Sequence, residues 1–225
     1  MKTIVVPDIH GRTFWKDLKT KYKDFDGNII FLGDYVDPYS NEKIYWKDTI
    51  ENLKEIIDFA RNNSNVILLI GNHDYHYIWD YGKCSRFSNK HFKELHKIYT
   101  DNIDLFKITH YDEQNNILYS HAGVLKGWLE DVNIKLEDIN NLIKNKPSKL
   151  WKVSYRRGGY DNNGSVLWAD INEHHLDTDN LDEYLIQIFG HTQLDVPLIE
   201  VKRNRFCIDS KQLFIVEDRN INILK

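Results

Sequence analysis

Five short apolar runs in this chain each end in residues that could hold a metal ion. Residues 3–6 lead into Pro7, Asp8, Ile9, His10, Gly11 and Arg12, and residues 28–32 into Gly33, Asp34, Tyr35, Val36 and Asp37. Residues 66–70 lead into Gly71, Asn72, His73 and Asp74, residues 117–119 into Ser120, His121, Ala122 and Gly123, and residues 185–189 into Gly190, His191 and Thr192. Carboxylate, imidazole and amide oxygen are borderline-to-hard ligands suited to manganese, iron, zinc or nickel. A carboxylate can bridge two ions, so six such side chains suffice for a pair. Two ions about 3.5–4 Å apart can clamp the attacking and leaving oxygens of an in-line displacement at phosphorus and acidify a shared water. Taken singly, each cluster also reads as a turn, a helix cap or a surface histidine. Five of them, each after an apolar run, are hard to explain as turns alone.

The runs themselves have the length and the β-branched or aromatic content of buried strands. Between the second and third, residues 45–62 carry Ile50, Leu53, Ile57 and Ala60 at three- and four-residue spacing, which puts them on one face of a helix. Alternation of strands with a helix argues an α/β sheet core, and ligand sites in such sheets lie outside the carboxyl ends of the strands. Two regions break the rhythm. Residues 75–111 are rich in aromatics and read as a helical insertion. Within it Tyr75, Tyr77, Trp79 and Tyr81 are expected to form the core of a cap, the alternative being a rim that stacks on a base or an aryl ring. Residues 196–224 read as short strands joined by tight turns, an antiparallel sheet or a pair of hairpins. The whole of 1–225 is expected to be one domain.

Bulk properties exclude more than they assign. The chain has 225 residues, 41% hydrophobic and 28% charged, with a formal net charge of -4. Those values suit an ordinary globular protein and carry no strong nucleic-acid signature. Cys84 and Cys207 form no CxxC pair, so a disulfide framework is not expected and a reducing cytoplasm is. The N-terminal apolar run stops at Asp8, too soon for a signal peptide or a membrane span, so no membrane association is expected. His76, His91, His96, His110, His174 and His175 follow none of the five patterns and read as structural or surface residues.

The series resembles the calcineurin-like metallophosphoesterases, and within them the phosphoprotein phosphatase branch of bacterial and phage type. That branch carries Gly-Asp-x-His-Gly, Gly-Asp-x-Val-Asp-Arg-Gly and Gly-Asn-His-Glu, then two separated histidines. Val166, Leu167, Trp168, Ala169 and Asp170 look like its Leu-Trp-Ser-Asp segment, and Cys207, Ile208, Asp209 and Ser210 resemble a late strand of bacterial members. The resemblance covers nearly the whole chain. It implies a four-layer αββα sandwich with a binuclear metal site at the strand C-termini. It further implies that Asp8 and His10 hold a first metal, that Asp34 bridges both, and that Asn72, His121 and His191 complete the second. The cofactors would be two divalent transition metal ions, manganese first, with iron, zinc or nickel as alternatives. His73 matches the family's general acid and Asp37 the carboxylate that orients it, in keeping with imidazole as a proton donor near neutral pH.

Some positions depart from the family's pattern. Pro7 stands for glycine, Asp74 for glutamate, and Pro38 for the arginine that clamps phosphate. A planar bidentate guanidinium is hard to replace at a phosphate. Arg156 and Arg157 are the first candidates to supply that charge, Arg12 and Arg86 the second. The activity implied is a metal-dependent phosphatase that hydrolyses phosphomonoesters of the phosphoprotein Ser/Thr type by in-line attack of a metal-bridging hydroxide. The partner would be a phosphorylated protein, small molecule or nucleotide. Alternatives are a dinucleoside polyphosphate hydrolase, a phosphodiesterase or nucleic-acid end phosphatase, and a non-catalytic scaffold. Retention of all the expected ligands argues against the last.

Overall fold

A computed structural model describes residues 2–145, 147–177 and 181–225. Contacts divide the chain into two compact units, Met1–Phe106 with Lys211–Lys225, and Lys107–Ser210.

The first unit is built on strands β1 (Lys2–Val6), β2 (Gly27–Phe31) and β3 (Val66–Leu69), with helix α1 (Trp46–Asn62) between the second and third. β1 pairs with β2 and β2 with β3, both parallel. Ile4, Val5, Val6, Ile30, Phe31, Leu68 and Leu69 are wholly buried, as expected of parallel strands covered on both faces. On α1 the buried positions are Thr49, Ile50, Asn52, Leu53, Ile56, Ile57 and Ala60, one apolar stripe at helical spacing. The polar members of the stripe are satisfied, since Thr49 Oγ1 donates to Tyr45 O at 3.1 Å and Asn52 Oδ1 accepts from Trp15 Nε1 at 3.0 Å.

After β3 come helices α2 (Asn72–Trp79) and α3 (Phe92–Asp101), and the short strand β4 (Phe106–Lys107) ends this part of the chain. The aromatic stretch is therefore two helices with an irregular link, and its last residues belong to a strand rather than a helix. Tyr75 and Tyr77 are fully buried while Tyr81 is exposed, which is the burial of a core with one end at solvent.

The second unit holds β5 (Thr109–Asp112), β6 (Ile117–Ser120), α4 (Lys126–Val132), the short helices α5 (Leu142–Asn145) and α6 (Pro147–Leu150), α7 (Ile171–Leu176), β7 (Ile186–Phe189), β8 (Ile199–Lys202) and β9 (Arg205–Cys207). The chain then returns to the first unit through β10 (Phe214–Glu217) and β11 (Asn220–Ile223). The first sheet runs β11-β10-β1-β2-β3-β4 and the second β5-β6-β7-β9-β8. Each is mixed: β6, β7 and β9 are parallel neighbours, while β5 and β8 pair antiparallel at the edges. The C-terminal segment does form two hairpins, β8–β9 and β10–β11, but each extends a different sheet. Among the described residues no helix is long and apolar enough to cross a membrane.

Candidate metal centre and proton donor

In the first unit the exits of the three parallel strands lie side by side. The turn after β1 bonds to the turn after β2 through His10 N to Asp34 O at 2.6 Å and Gly11 N to Tyr35 O at 3.0 Å. The turn after β2 packs on the one after β3 so closely that a Cβ on Gly71 would lie 2.1 Å from Asp34 Oδ1. Only a residue without a side chain permits that approach. Asp74 ties the same turns together. Its Oδ2 accepts from Asp34 N at 2.7 Å and Gly71 N at 2.8 Å, and its Oδ1 from Tyr35 N at 2.9 Å and Tyr99 Oη at 2.5 Å. The aspartate that departs from the family's glutamate is thus a buried knot joining β2, β3, α2 and α3.

These turns bring Asp8, His10 and Asp34 together, with one ligand atom of each lying within 4.8 Å of the others. All three side chains are buried, and Asn72, at the start of α2, is buried with them. His10 Nδ1 lies 2.9 Å from Val36 O. A carbonyl can only accept, so Nδ1 carries the proton and Nε2 presents its lone pair, the tautomer of a metal ligand. Burial, with His73 and Arg86 nearby, holds His10 well below the usual histidine range, so it is a neutral imidazole. Asp34 is pushed the other way, well above the usual carboxylate range, by burial and by Asp74. Two buried carboxylates beside a neutral imidazole want a cation, and the donor set fits a divalent metal.

His10, Asp34 and Asp37 hold φ of 45°, 52° and 56°, the left-handed region that side chains disfavour. Each residue there costs about 1–2 kcal/mol, and three on adjoining turns mean the surrounding bonds over-determine the geometry.

Asp37 and His73 form a second group. His73 Nδ1 lies 2.7 Å from Asp37 Oδ2, and Tyr77 Oη donates to Asp37 Oδ1 at 2.6 Å. Burial works against the Asp37 anion, but its bonds to His73 and His76 win and hold its pKa below the usual value. The ionised Asp37 therefore accepts a hydrogen bond from His73 Nδ1–H and leaves the Nε2 lone pair facing Arg86. Burial lowers the pKa of His73 to about 4, with Asp37 opposing and Arg86 adding to the fall.

Arg86 is the cation the sequence ranked low. Its Nη2 lies 3.0 Å from His73 Nε2 and 3.5 Å from His10 Nε2, and its guanidinium sits 3.7 Å above the Tyr39 ring. It reaches there from the link after α2, at φ 67°. Arg12 is spent on Glu42, through Nε at 2.7 Å and Nη2 at 2.9 Å.

In the second unit, the turns after β6 and β7 place His121 Nε2 3.1 Å from His191 Nδ1. Trp168 stands edge-on to His191 at 5.8 Å between ring centres. Arg157 lies 2.8 Å from Asp170 and donates to Thr192, whereas Arg156 is exposed. Asp170 caps α7, accepting from Asn172 N at 2.9 Å while Glu173 accepts from Asp170 N at 2.8 Å. The segment around Trp168 and Asp170 thus serves as a helix start whose acid Arg157 neutralises.

Sequence reading overlooked Tyr77, His76 and Cys84, all of which meet Asp37 or His73. The available signal was helical: His73, His76 and Tyr77 stand three and four residues apart, on one face of α2.

The model of the calcineurin-like phosphoesterase family matches residues 1–195. Among solved structures, a cold-active protein-tyrosine phosphatase of a psychrophilic Shewanella species is similar at 16% identity and a TM-score of 0.65, covering all of this chain and 80% of that one. A protein serine/threonine phosphatase of Saccharomyces cerevisiae is similar at 16% identity and a TM-score of 0.57, covering all of this chain and 79% of that one. At these identities the likeness is one of fold. Comparison with curated protein sequences returns no match.

Proposed function

Because the chain belongs to the calcineurin-like phosphoesterase family, whose members use divalent metals, we propose that it is a phosphatase that hydrolyses phosphomonoesters of the phosphoprotein type. The observation that carries this reading is Arg86, whose guanidinium stands beside Nε2 of His73 and Nε2 of His10. A terminal phosphate carries two negative charges and a diester one, so a cation fixed beside the proton donor favours the monoester.

In the first unit Asp8, His10, Asp34 and Asn72 are the residues that would hold a divalent ion, and in the second His121 and His191 offer two further imidazoles. When bound, such ions polarise the phosphoryl oxygens and supply the attacking water at neutral pH. The chain's own residues do the rest. In the substrate-free site His73 Nε2 accepts from Arg86, and burial keeps the ring neutral. A phosphate that engages the guanidinium takes that donor away and puts negative charge beside the imidazole. Both changes raise the affinity of Nε2 for a proton, and Asp37 stabilises the imidazolium through Nδ1. His73 then delivers that proton to the leaving oxygen.

Purified protein with added manganese, given a phosphopeptide, an aryl phosphate, a phosphodiester and diadenosine tetraphosphate side by side, should turn over the two monoesters with the higher kcat/KM. A diester or the tetraphosphate as the preferred substrate would replace this reading with a phosphodiesterase or a dinucleoside polyphosphate hydrolase.

A further inference from the structure

Behind the proton donor, the first unit gathers four side chains of a different ligand character. Asp37, His73, His76 and Cys84 each offer one ligand atom, all within 4.8 Å of one another. Asp37 leaves the turn after β2, His73 and His76 share a face of α2, and Cys84 returns on the link that follows α2. Cys84 Sγ lies 3.0 Å from His76 Nδ1 and 3.5 Å from His73 Nδ1, while Asp37 Oδ2 lies 2.7 Å from His73 Nδ1 and 3.0 Å from His76 Nε2. Asp37 and His76 are wholly buried, and His73 nearly so. His76 Nε2 faces Asp37 Oδ2 and its Nδ1 faces Cys84 Sγ, so both ring nitrogens look onto donor atoms of the cluster. A buried cluster of sulfur, nitrogen and oxygen donors gathered this closely is the donor set of a metal site.

We propose that Asp37, His73, His76 and Cys84 form a third metal site, selective for a thiophilic divalent ion of the zinc class, whose occupation shuts off the proton donor. One sulfur, two imidazole nitrogens and a carboxylate oxygen make the closed tetrahedral set that zinc, cobalt and cadmium take, and manganese does not favour thiolate. With metal–nitrogen bonds of about 2.0 Å and metal–sulfur bonds of about 2.3 Å, neighbouring donors in a tetrahedron stand roughly 3.3–3.5 Å apart. Cys84 Sγ and His73 Nδ1 already stand 3.5 Å apart, the 2.7 Å between Asp37 Oδ2 and His73 Nδ1 has to open by about 0.6 Å, and His76 ligates through one ring nitrogen, facing either Cys84 or Asp37.

Proton balance follows from the donors. Burial raises the Cys84 pKa, so the thiol is protonated at neutral pH and the ion displaces one proton to solvent. The proton on His73 Nδ1 moves to Nε2, so the ring changes tautomer and gives up the hydrogen bond that Nε2 accepts from Arg86. The ion then holds Nδ1 and Asp37 Oδ2, and the carboxylate can no longer stabilise an imidazolium at His73. That inhibitory half rests on the proposed role of His73; the binding half stands on the cluster alone.

Cobalt titrated into the manganese-loaded protein tests both. A thiolate–cobalt charge-transfer band in the near ultraviolet should grow to one equivalent per chain. None of the residues proposed for the first two ions carries sulfur, so the band reports this site. Cys84→Ser should abolish it and Cys207→Ser should keep it. His76→Gln, which retains the sulfur, should need at least about tenfold more cobalt, the scale on which a metal site suffers from a lost supporting group. No band in the parent protein, or a band that persists in Cys84→Ser, overturns the site. As the band grows, turnover of an alkyl phosphate should fall more than that of an aryl phosphate. A full band with alkyl turnover unchanged overturns the inhibitory role while leaving the site in place, and so separates this proposal from the substrate assignment.

Discussion

Arg86 Nη2 and His73 Nε2 are a donor and acceptor 3.0 Å apart, and their substitutions should part binding from proton transfer. Arg86→Ala removes the cation beside Nε2 of His73 and of His10 while leaving every proposed carboxylate and imidazole ligand in the chain. It should lower kcat/KM on a phosphomonoester by about 2 kcal/mol, the scale of a charge-assisted hydrogen bond, with metal content by elemental analysis unchanged. Arg157→Ala removes instead the partner of Asp170 at the start of α7 and should act on stability rather than rate. His73→Ala should retain metal and lose rate, and the loss should be larger for an alkyl phosphate than for an aryl one, whose oxide leaves with less protonation. Equal losses on both esters would deny His73 the role of proton donor.

The strand exits in the first unit work as one element, because each turn is the wall of the next. Gly71 touches Asp34, Gly33 at φ 106° lies against Gly71, and Asp74 closes the group with four accepted bonds. Gly71→Ala should therefore act as a ligand mutation although position 71 ligates nothing. A methyl group 2.1 Å from Asp34 Oδ1 has to push the carboxylate aside. Manganese retained after gel filtration should fall sharply, and the thermal midpoint of the metal-free protein should also drop. Full retention of manganese would show that the turn yields elsewhere. This packing is why the motifs could be read locally: glycine and ligand sit next to each other in the chain because they sit next to each other in the turn. The roles of Tyr77 and Tyr99 were not legible in that way. Each donates to a carboxylate about a helix's length or more away in sequence, and nothing in an aromatic-rich helix marks which hydroxyl will do so.

At the scale of the molecule, pH should act through buried neutral imidazoles. His174 on α7 is wholly buried, stacks on Phe189 at 4.6 Å between ring centres and has Nε2 2.9 Å from Ala122 O. Burial lowers its pKa from 6.5 to about 4. Above pH 6.5 the ring is neutral in both states, so it makes stability no function of pH there. Between 6.5 and about 4 the unfolded chain takes a proton that the folded chain refuses, so stability falls as pH falls. Going from about pH 7.5 to about pH 5 this one residue should remove roughly 2 kcal/mol. Urea melts of His174→Gln in chelator should show a difference between the two pH values smaller by that amount. An unchanged difference would mean that His174 is not kept neutral.

The sequence by itself determined the strands β1, β2, β3, β6 and β7, the helix α1 and the order of acid, imidazole and amide at each of their exits. Those features are written in spans of four to eighteen residues or so, where side-chain periodicity and turn chemistry act directly on the backbone. Only the tertiary structure decided that β8–β9 and β10–β11 join different sheets, since two hairpins of like composition look the same until they find an edge to pair with. It also decided that Arg86, and not Arg12, stands beside the imidazoles, and that Cys84 meets Asp37, His73 and His76. Each of those choices rests on a side chain reaching a partner on another element, and a charge or a thiol carries no local mark of the partner it will find.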